Sequence, residues 1–362
     1  MKGAIFHDYY KFIGGGEILA LSMAKILHAD LITTELTLNK EFFEGVRVQS
    51  LGSLPAIPGI HQTMAMFRFE HSNLQDEYDY FIFSGNWAHH ASKHHSPSIF
   101  YCNTPVRAVY DLYPSFSQSL PFYSRPAYAA WACAIKWKDQ RSVKRVTKVV
   151  ANSKNVQERI YRYHNRESEV IYPAIDTSLY RCEEYGDFWL SVNRLYPEKR
   201  IYLQIEAFSR HPEENLVIVG GCAPGDHASS YARYIYSLAA KYPNINILGQ
   251  VPHEEVQSLY ARCKGLICTA VNEDFGMTPL EAMASGKPVI AVCEGGFLET
   301  VTPSCGVLIA ADQRSIFEAV QKVGVNPEQF HDACISRAAE FDISVFKKKI
   351  LVAVDEITRD AV

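Results

Sequence analysis

The sequence has 362 residues, 48% hydrophobic, 12% aromatic and 21% charged, with a net charge of −4. At about 100–200 residues per domain, this is two folded domains of ordinary globular composition, which excludes a disordered or fibrous chain. The slightly acidic balance argues against coating of nucleic acid, which needs a strongly basic face, so no nucleic-acid partner is expected.

Nine cysteines, an odd number with no C-x-x-C pair, point to free thiols in a reducing cytoplasm. Neither a disulfide framework nor a metal site is expected. The start, Met1 to Phe6, lacks the apolar length of a signal peptide. The run Ala127 to Ile135 is too short for a bilayer, which needs roughly 20 residues.

Along the chain, short apolar runs alternate with helical patterns. The first strands fall at 2–7, 46–50, 80–84, 98–102 and 148–152, with helices at 17–28 and 155–163. A break follows at Tyr172-Pro173-Ala174-Ile175-Asp176, then a polar stretch from Arg181 to Asp187. Further strands fall at 188–193, 216–220, 245–248, 265–269 and 288–292, with helices at 199–210, 228–242 and 278–285. Repeated β-α alternation means an α/β protein with parallel sheets. It runs too long for one sheet. The expected architecture is two Rossmann-like domains, 1–178 and 179–342, facing across a cleft. A terminal helix in 343–362 packs back toward the first domain. The first 178 residues hold 19 Lys/Arg against 16 Asp/Glu, and the rest hold 17 against 24.

Three motifs carry chemistry. Gly14-Gly15-Gly16-Glu17 lies between the first strand and the first helix. It is a loop whose backbone can approach an anion at a helix N-terminus, or simply a flexible turn. It is not the G-x-G-x-x-G dinucleotide fingerprint. Arg194 and Lys199, after the first strand of the second domain, stand where α/β proteins bind ligands and can neutralise a diphosphate. The alternative is a solvated loop. The third motif runs from Glu273 to Ile290. Glu273 and Gly276 sit in a loop after a strand, Pro279 suits a first helical turn, and Glu281 lies one turn inside. Gly276, Met277 and Thr278 offer backbone N–H groups to an anion, and a carboxylate can accept two hydrogen bonds from a diol.

Taken together, these residues resemble a family-4 retaining glycosyltransferase of the GT-B fold, in the branch of mannosyltransferases that build lipopolysaccharide and related glycans. The family's E-x7-E motif falls on Glu273 and Glu281, its R-L-x-x-x-K motif on Arg194 and Lys199, and its G-G-x-E loop on Gly14 to Glu17. The resemblance implies that Glu281 binds the nucleotide ribose and that Glu273 faces the donor sugar. Arg194 and Lys199 would hold the diphosphate. Phe275, Gly276 and Met277 would act through backbone groups, and Gly15 and Gly16 would close the diphosphate site from the other domain. Gln250 and Val251 fall where the family places the base. The implied reaction is metal-independent and uses no cofactor. It moves a sugar, mannose from GDP-mannose in this branch, to a hydroxyl of a glycan or lipid-linked acceptor. A non-catalytic nucleotide-sugar-binding protein and an NAD-dependent oxidoreductase are the competing classes.

One departure matters. The branch reads Y-C-H-T-P-x-R where this chain has Tyr101-Cys102-Asn103-Thr104-Pro105-Val106-Arg107. Asn103 can hydrogen-bond a sugar hydroxyl but cannot carry a proton as imidazole does. Acceptor-side alternatives are His7, His89, His90 and Arg107, the histidine pair being otherwise surface residues of a loop. Finally, 131–148 carries six Lys/Arg against Asp139 alone, with aromatic flanks. It reads either as a contact with an anionic membrane surface or as a solvated helix. The expected location is cytoplasmic, peripheral to the inner face of the membrane.

Overall fold

The computed structural model describes residues 1–359 except 12–13, 56, 58 and 223–227. The chain forms two compact units, Met1–Pro173 with Phe346–Val362, and Ala174–Val345. The passage between them falls at Pro173–Ala174, against 178 in the sequence reading. Residues 360–362 of the expected terminal segment lie outside the described residues.

The first unit has seven strands: β1 (Gly3–His7), β2 (Asp30–Thr33), β3 (Val48–Ser50), β4 (Tyr80–Ser84), β5 (Ser98–Cys102), β6 (Lys148–Ala151) and β7 (Glu169–Val170). They form one sheet in the order β3-β2-β1-β4-β5-β6-β7, with every pairing parallel. Helices α1 (Gly15–Leu27), α2 (Ile60–His71), α3 (Tyr113–Ser119), α4 (Arg125–Val143) and α5 (Lys154–His164) connect them. Strands β1, β4 and β5 are buried along their whole length, as strands covered on both faces must be. Phe6 meets Phe69, Phe81 and Phe83 edge to face, with ring centroids 6.1, 6.2 and 5.7 Å apart. Each such buried ring is worth about 1.5–3 kcal/mol.

The second unit has β8 (Phe188–Val192), β9 (Asn215–Val219), β10 (Ile245–Gly249), β11 (Gly265–Cys268), β12 (Val289–Val292) and β13 (Gly306–Ile309). Their order is β10-β9-β8-β11-β12-β13, again all parallel. The helices here are α6 (Ile201–Phe208), α7 (Ser229–Ala239), α8 (His253–Arg262), α9 (Met277–Ala284), α10 (Phe297–Thr300), α11 (Gln313–Gly324) and α12 (His331–Ala339). The last helix, α13 (Ile343–Arg359), begins in the second unit and continues in the first.

The strand order reverses between β1 and β4 in one sheet and between β8 and β11 in the other. At such switch points the connections leave in opposite directions and a crevice opens beyond the strand ends. The strands β2, β7 and β13 have no counterpart in the sequence reading. They hold 4, 2 and 4 residues. No helix among the described residues is long and apolar enough to cross a membrane.

Candidate functional site

In the second unit, the loops after β8 and β11 flank the switch point. The β8 loop is tied to the end of β9: Asn193 N–H donates to the Val219 carbonyl at 2.9 Å, and Leu195 N–H to Gly221 at 3.0 Å. Arg194 extends over the Tyr196 ring, 5.4 Å from its centroid, and makes no ion pair among the described residues. A short helical turn, Pro197–Lys199, then presents Lys199, whose Nζ lies 2.6 Å from Glu273 Oε2. Thr269, just past β11, donates its hydroxyl to the Lys199 carbonyl at 2.8 Å, and Val271 N–H donates to Glu198 at 2.7 Å. The two motif loops are therefore one stitched structure.

The glutamate loop is braced from behind by Glu294-Gly295-Gly296. Arg200 Nη1 pairs with Glu294 Oε1 at 2.8 Å, and Glu294 Oε2 accepts Asn272 N–H at 3.2 Å. Gly296 N–H donates to the Glu273 carbonyl at 2.7 Å. A Cβ on Gly295, at φ +58°, would stand 2.4 Å from that carbonyl oxygen, so only glycine fits. The sequence reading missed this brace, although a Gly-Gly pair directly after an apolar strand signals close backbone approach.

Gly276, at φ +89°, starts α9 with no side-chain cap. The N-terminus of α9, with Met277 and Thr278, therefore keeps the anion-binding character of a helix start. Phe275 is 2% exposed and packs on Phe341, so its side chain belongs to the core. Glu281 accepts the Tyr260 hydroxyl at 2.8 Å. Burial raises its carboxyl pKa, against the lowering effect of Tyr260, His253 and Tyr180. Gln250 and Val251 follow β10, and Gln250 is exposed.

In the first unit, His7 ends β1 and is 4% exposed, with Nε2 3.8 Å from Glu17 Oε1. Asn103, after β5, donates to the Ser84 hydroxyl at 3.5 Å. A Cβ on Gly16 would lie 3.7 Å from Asn103 Nδ2 and 4.0 Å from His7 Cε1. The helix start, the end of β1 and the end of β5 thus converge. Gly14 caps α1 without a side-chain bond, and Gly15 opens the helix. Asp8, next to His7, accepts N–H bonds from Asn86, Trp87 and Ala88 at 2.6, 2.8 and 2.8 Å. It ties β1 to the loop after β4, a role the sequence reading did not assign.

Arg107 Nε and Nη2 both contact Asp111 Oδ2, each at 2.9 Å, so this arginine is already paired. His89 and His90 are not surface residues and do not stand ready for an acceptor. They are 1% and 3% exposed, inside a short helical turn at Ala88–Lys93. His89 Nε2 lies 2.9 Å from Asp139 Oδ1, while His164 Nε2 and the Tyr110 hydroxyl reach Oδ2 at 2.8 and 2.6 Å. His89, His90 and Asp139 also bring ligand atoms within 4.8 Å of one another, with Asp139 Oδ2 already bonded to Tyr110 and His164.

The same cluster draws one residue of the 131–148 segment inward. Asp139 is 1% exposed and belongs to the core. Lys138 pairs with Glu70 at 2.7 Å, and Lys148 with Glu169 at 2.6 Å and with Glu356. Arg141, Lys144 and Arg145 are exposed, beside Trp137 at 58% exposure.

Residues 183–341 match the family described as glycosyl transferases group 1. The chain is similar to the O-antigen chain mannosyltransferase RfbU of Salmonella typhimurium, 30% identical over 58% of this chain and 60% of that protein. It is similar to the alpha-1,3/1,6-mannosyltransferase ALG2 of Saccharomyces cerevisiae, 31% identical over 45% of this chain and 42% of that protein. The chain therefore spans about half the length of these curated relatives. The crystal structure of Anabaena HepE in complex with UDP and glucose superposes with a TM-score of 0.79 at 18% identity, covering 97% of this chain and 99% of that one. The two parallel-sheet units are thus those of the GT-B fold.

Proposed function

We propose, from the match of residues 183–341 to the glycosyl transferases group 1 family, that this chain is a retaining, metal-independent glycosyltransferase. It moves mannose from GDP-mannose to a hydroxyl of a glycan or lipid-linked acceptor. The observation that carries the reading is the stitched pair of loops at the β8/β11 switch point. There Lys199 meets Glu273 at 2.6 Å and Arg194 stands unpaired among the described residues, with the start of α9 and Glu281 on the same connection.

In this reading Glu281 takes the ribose diol and Gln250 and Val251 flank the base. The backbone of Phe275, Gly276, Met277 and Thr278 lies along the phosphate and sugar, with Glu273 at the sugar. The bond from the anomeric carbon to the diphosphate oxygen breaks, and the acceptor oxygen bonds to that carbon on the same face. The departing phosphate oxygen takes the acceptor proton. Charge builds on the diphosphate, so Arg194, Lys199 and the α9 N-terminus stabilise the transition state. Gly14, Gly15 and Gly16 supply backbone amides, and Asn103 and His7 contact sugar hydroxyls. Arg107, paired with Asp111, shapes the acceptor side.

A thermal-shift panel tests the donor. GDP-mannose at 100 times its dissociation constant adds about 2.7 kcal/mol of stability. UDP-glucose is the informative competitor, because HepE is described with UDP and glucose. A shift with UDP-glucose and none with GDP-mannose replaces the donor. A shift with NAD alone overturns the class. Binding without transfer or donor hydrolysis leaves a binding protein.

The location is proposed as cytoplasmic, at the inner membrane face. Arg141, Lys144 and Arg145 with Trp137, Phe122 and Tyr123 form its contact with anionic lipid, the last two being 80% and 73% exposed. Sedimentation with anionic but not neutral vesicles, lost at high salt, supports this; equal binding to both removes it.

A further inference from the structure

Glu281 is held by two groups that the motifs do not contain. Tyr260, in α8 and fully buried, donates its hydroxyl to Oε2 at 2.8 Å. The phenol of Tyr180, from the segment before β8, lies close enough to the same carboxylate to act on its charge. The two rings meet edge to face, with centroids 6.1 Å apart. Both phenols are pushed up by burial and by Glu281, so each remains an O–H donor. A carboxylate has about four lone-pair positions. One is taken by the Tyr260 hydroxyl and a second faces the Tyr180 phenol, which leaves two for a ligand. A buried donor braced by a second phenol ring also removes the freedom of the carboxylate to rotate, so those two acceptors point in set directions.

We propose that Tyr180 and Tyr260 are positioning residues that aim the free lone pairs of Glu281 at both hydroxyls of a ribose diol, making the site selective for ribonucleotides over their deoxy analogues. This rests on the reading that Glu281 binds the donor ribose. A carboxylate free to turn would satisfy one hydroxyl nearly as well as two. A fixed one loses a charge-assisted hydrogen bond when either hydroxyl is missing.

The test measures dissociation constants of GDP and of UDP, each against its 2′-deoxy and 3′-deoxy form. The wild-type chain, Tyr180→Phe, Tyr260→Phe, the double variant and Glu281→Gln are compared. The wild type should prefer the ribonucleotide of the base it binds by about tenfold or more, the worth of one hydrogen bond to a charged group. The double variant should keep its affinity for the deoxy forms while the preference falls below about threefold. Melting temperatures identify any variant that misfolds. Tyr180→Phe, at the less buried position, then carries the test by itself. If Glu281→Gln keeps the wild-type preference, or the wild type binds neither nucleotide, the ribose reading of Glu281 fails. If Glu281→Gln loses the preference and the tyrosine variants keep it, the positioning inference fails and the ribose reading stands.

Discussion

Asp139 is buried in the first unit and Glu281 half-buried in the second, and the two carboxylates are treated in opposite ways. Asp139 in the first unit is met by His89, His164 and Tyr110, all within 2.9 Å. Burial by itself would raise its pKa, but the two imidazoles hold it well below the usual carboxylate range. Glu281 in the second unit is met by two neutral phenols and makes no ion pair among the described residues. There burial prevails and the pKa rises. The first anion is neutralised by side chains of its own unit, so it serves the scaffold. The second has a neutral donor, makes no ion pair among the described residues and keeps acceptor capacity to spare, which is the condition of a group awaiting ligand hydroxyls.

The comparison breaks most visibly at Asp139. Replacing it by alanine strands two buried imidazoles. Breaking a buried pair costs about 3–5 kcal/mol. The melting temperature of the first unit should fall by roughly 10 °C, with nucleotide affinity unchanged. A fall of less than about 2 °C would mean that the cluster contributes little net stability. Arg194→Ala probes the opposite case. It should leave the melting temperature unchanged and lower kcat about a hundredfold, roughly 3 kcal/mol of transition-state stabilisation. Normal turnover would remove Arg194 from the proposed machinery.

The two cases also differ in how far the sequence shows them. Glu273 and Glu281 lie on one strand-loop-helix connection, so their spacing is visible along the chain. The Lys199–Glu273 pair joins residues 74 apart, and only the parallel β8–β11 pairing brings them together. Asp139 looks like a lone acid on a basic helix. Yet Ala132, Ile135, Asp139, Ser142 and Val143 are the buried residues of α4, a stripe at helical spacing that includes it. That stripe was the available signal, and the count of basic residues concealed it. His89 and His90 carried no comparable signal, because a short helical turn has no periodicity to read.

The smallest expected effects come from pH, and they separate the two carboxylates by sign. Asp139 is depressed in the fold. Its stabilisation is present above the unfolded value of 3.8 and is lost only as pH falls through the lower folded value. Between pH 7 and 5 the first unit should therefore keep its Asp139 contribution. Glu281 is raised. Its protonated form favours folding fully below 4.5, and that contribution is lost as pH rises through the raised value. Acidification should thus not weaken the second unit through Glu281, but it should weaken donor binding, because a protonated carboxyl offers fewer acceptors to a diol. His253, Tyr180 and Tyr260 are the other titratable groups acting on it. The measurement is GDP-mannose affinity and the melting temperature from pH 7 to pH 5, in the wild type, Glu281→Gln and His253→Gln. GDP-mannose serves because its diphosphate diester keeps its charge over the range. Affinity should decline with falling pH in the wild type and in His253→Gln, and stay flat in Glu281→Gln. A decline that survives in Glu281→Gln would place the titrating group elsewhere and dissolve the contrast between the two carboxylates.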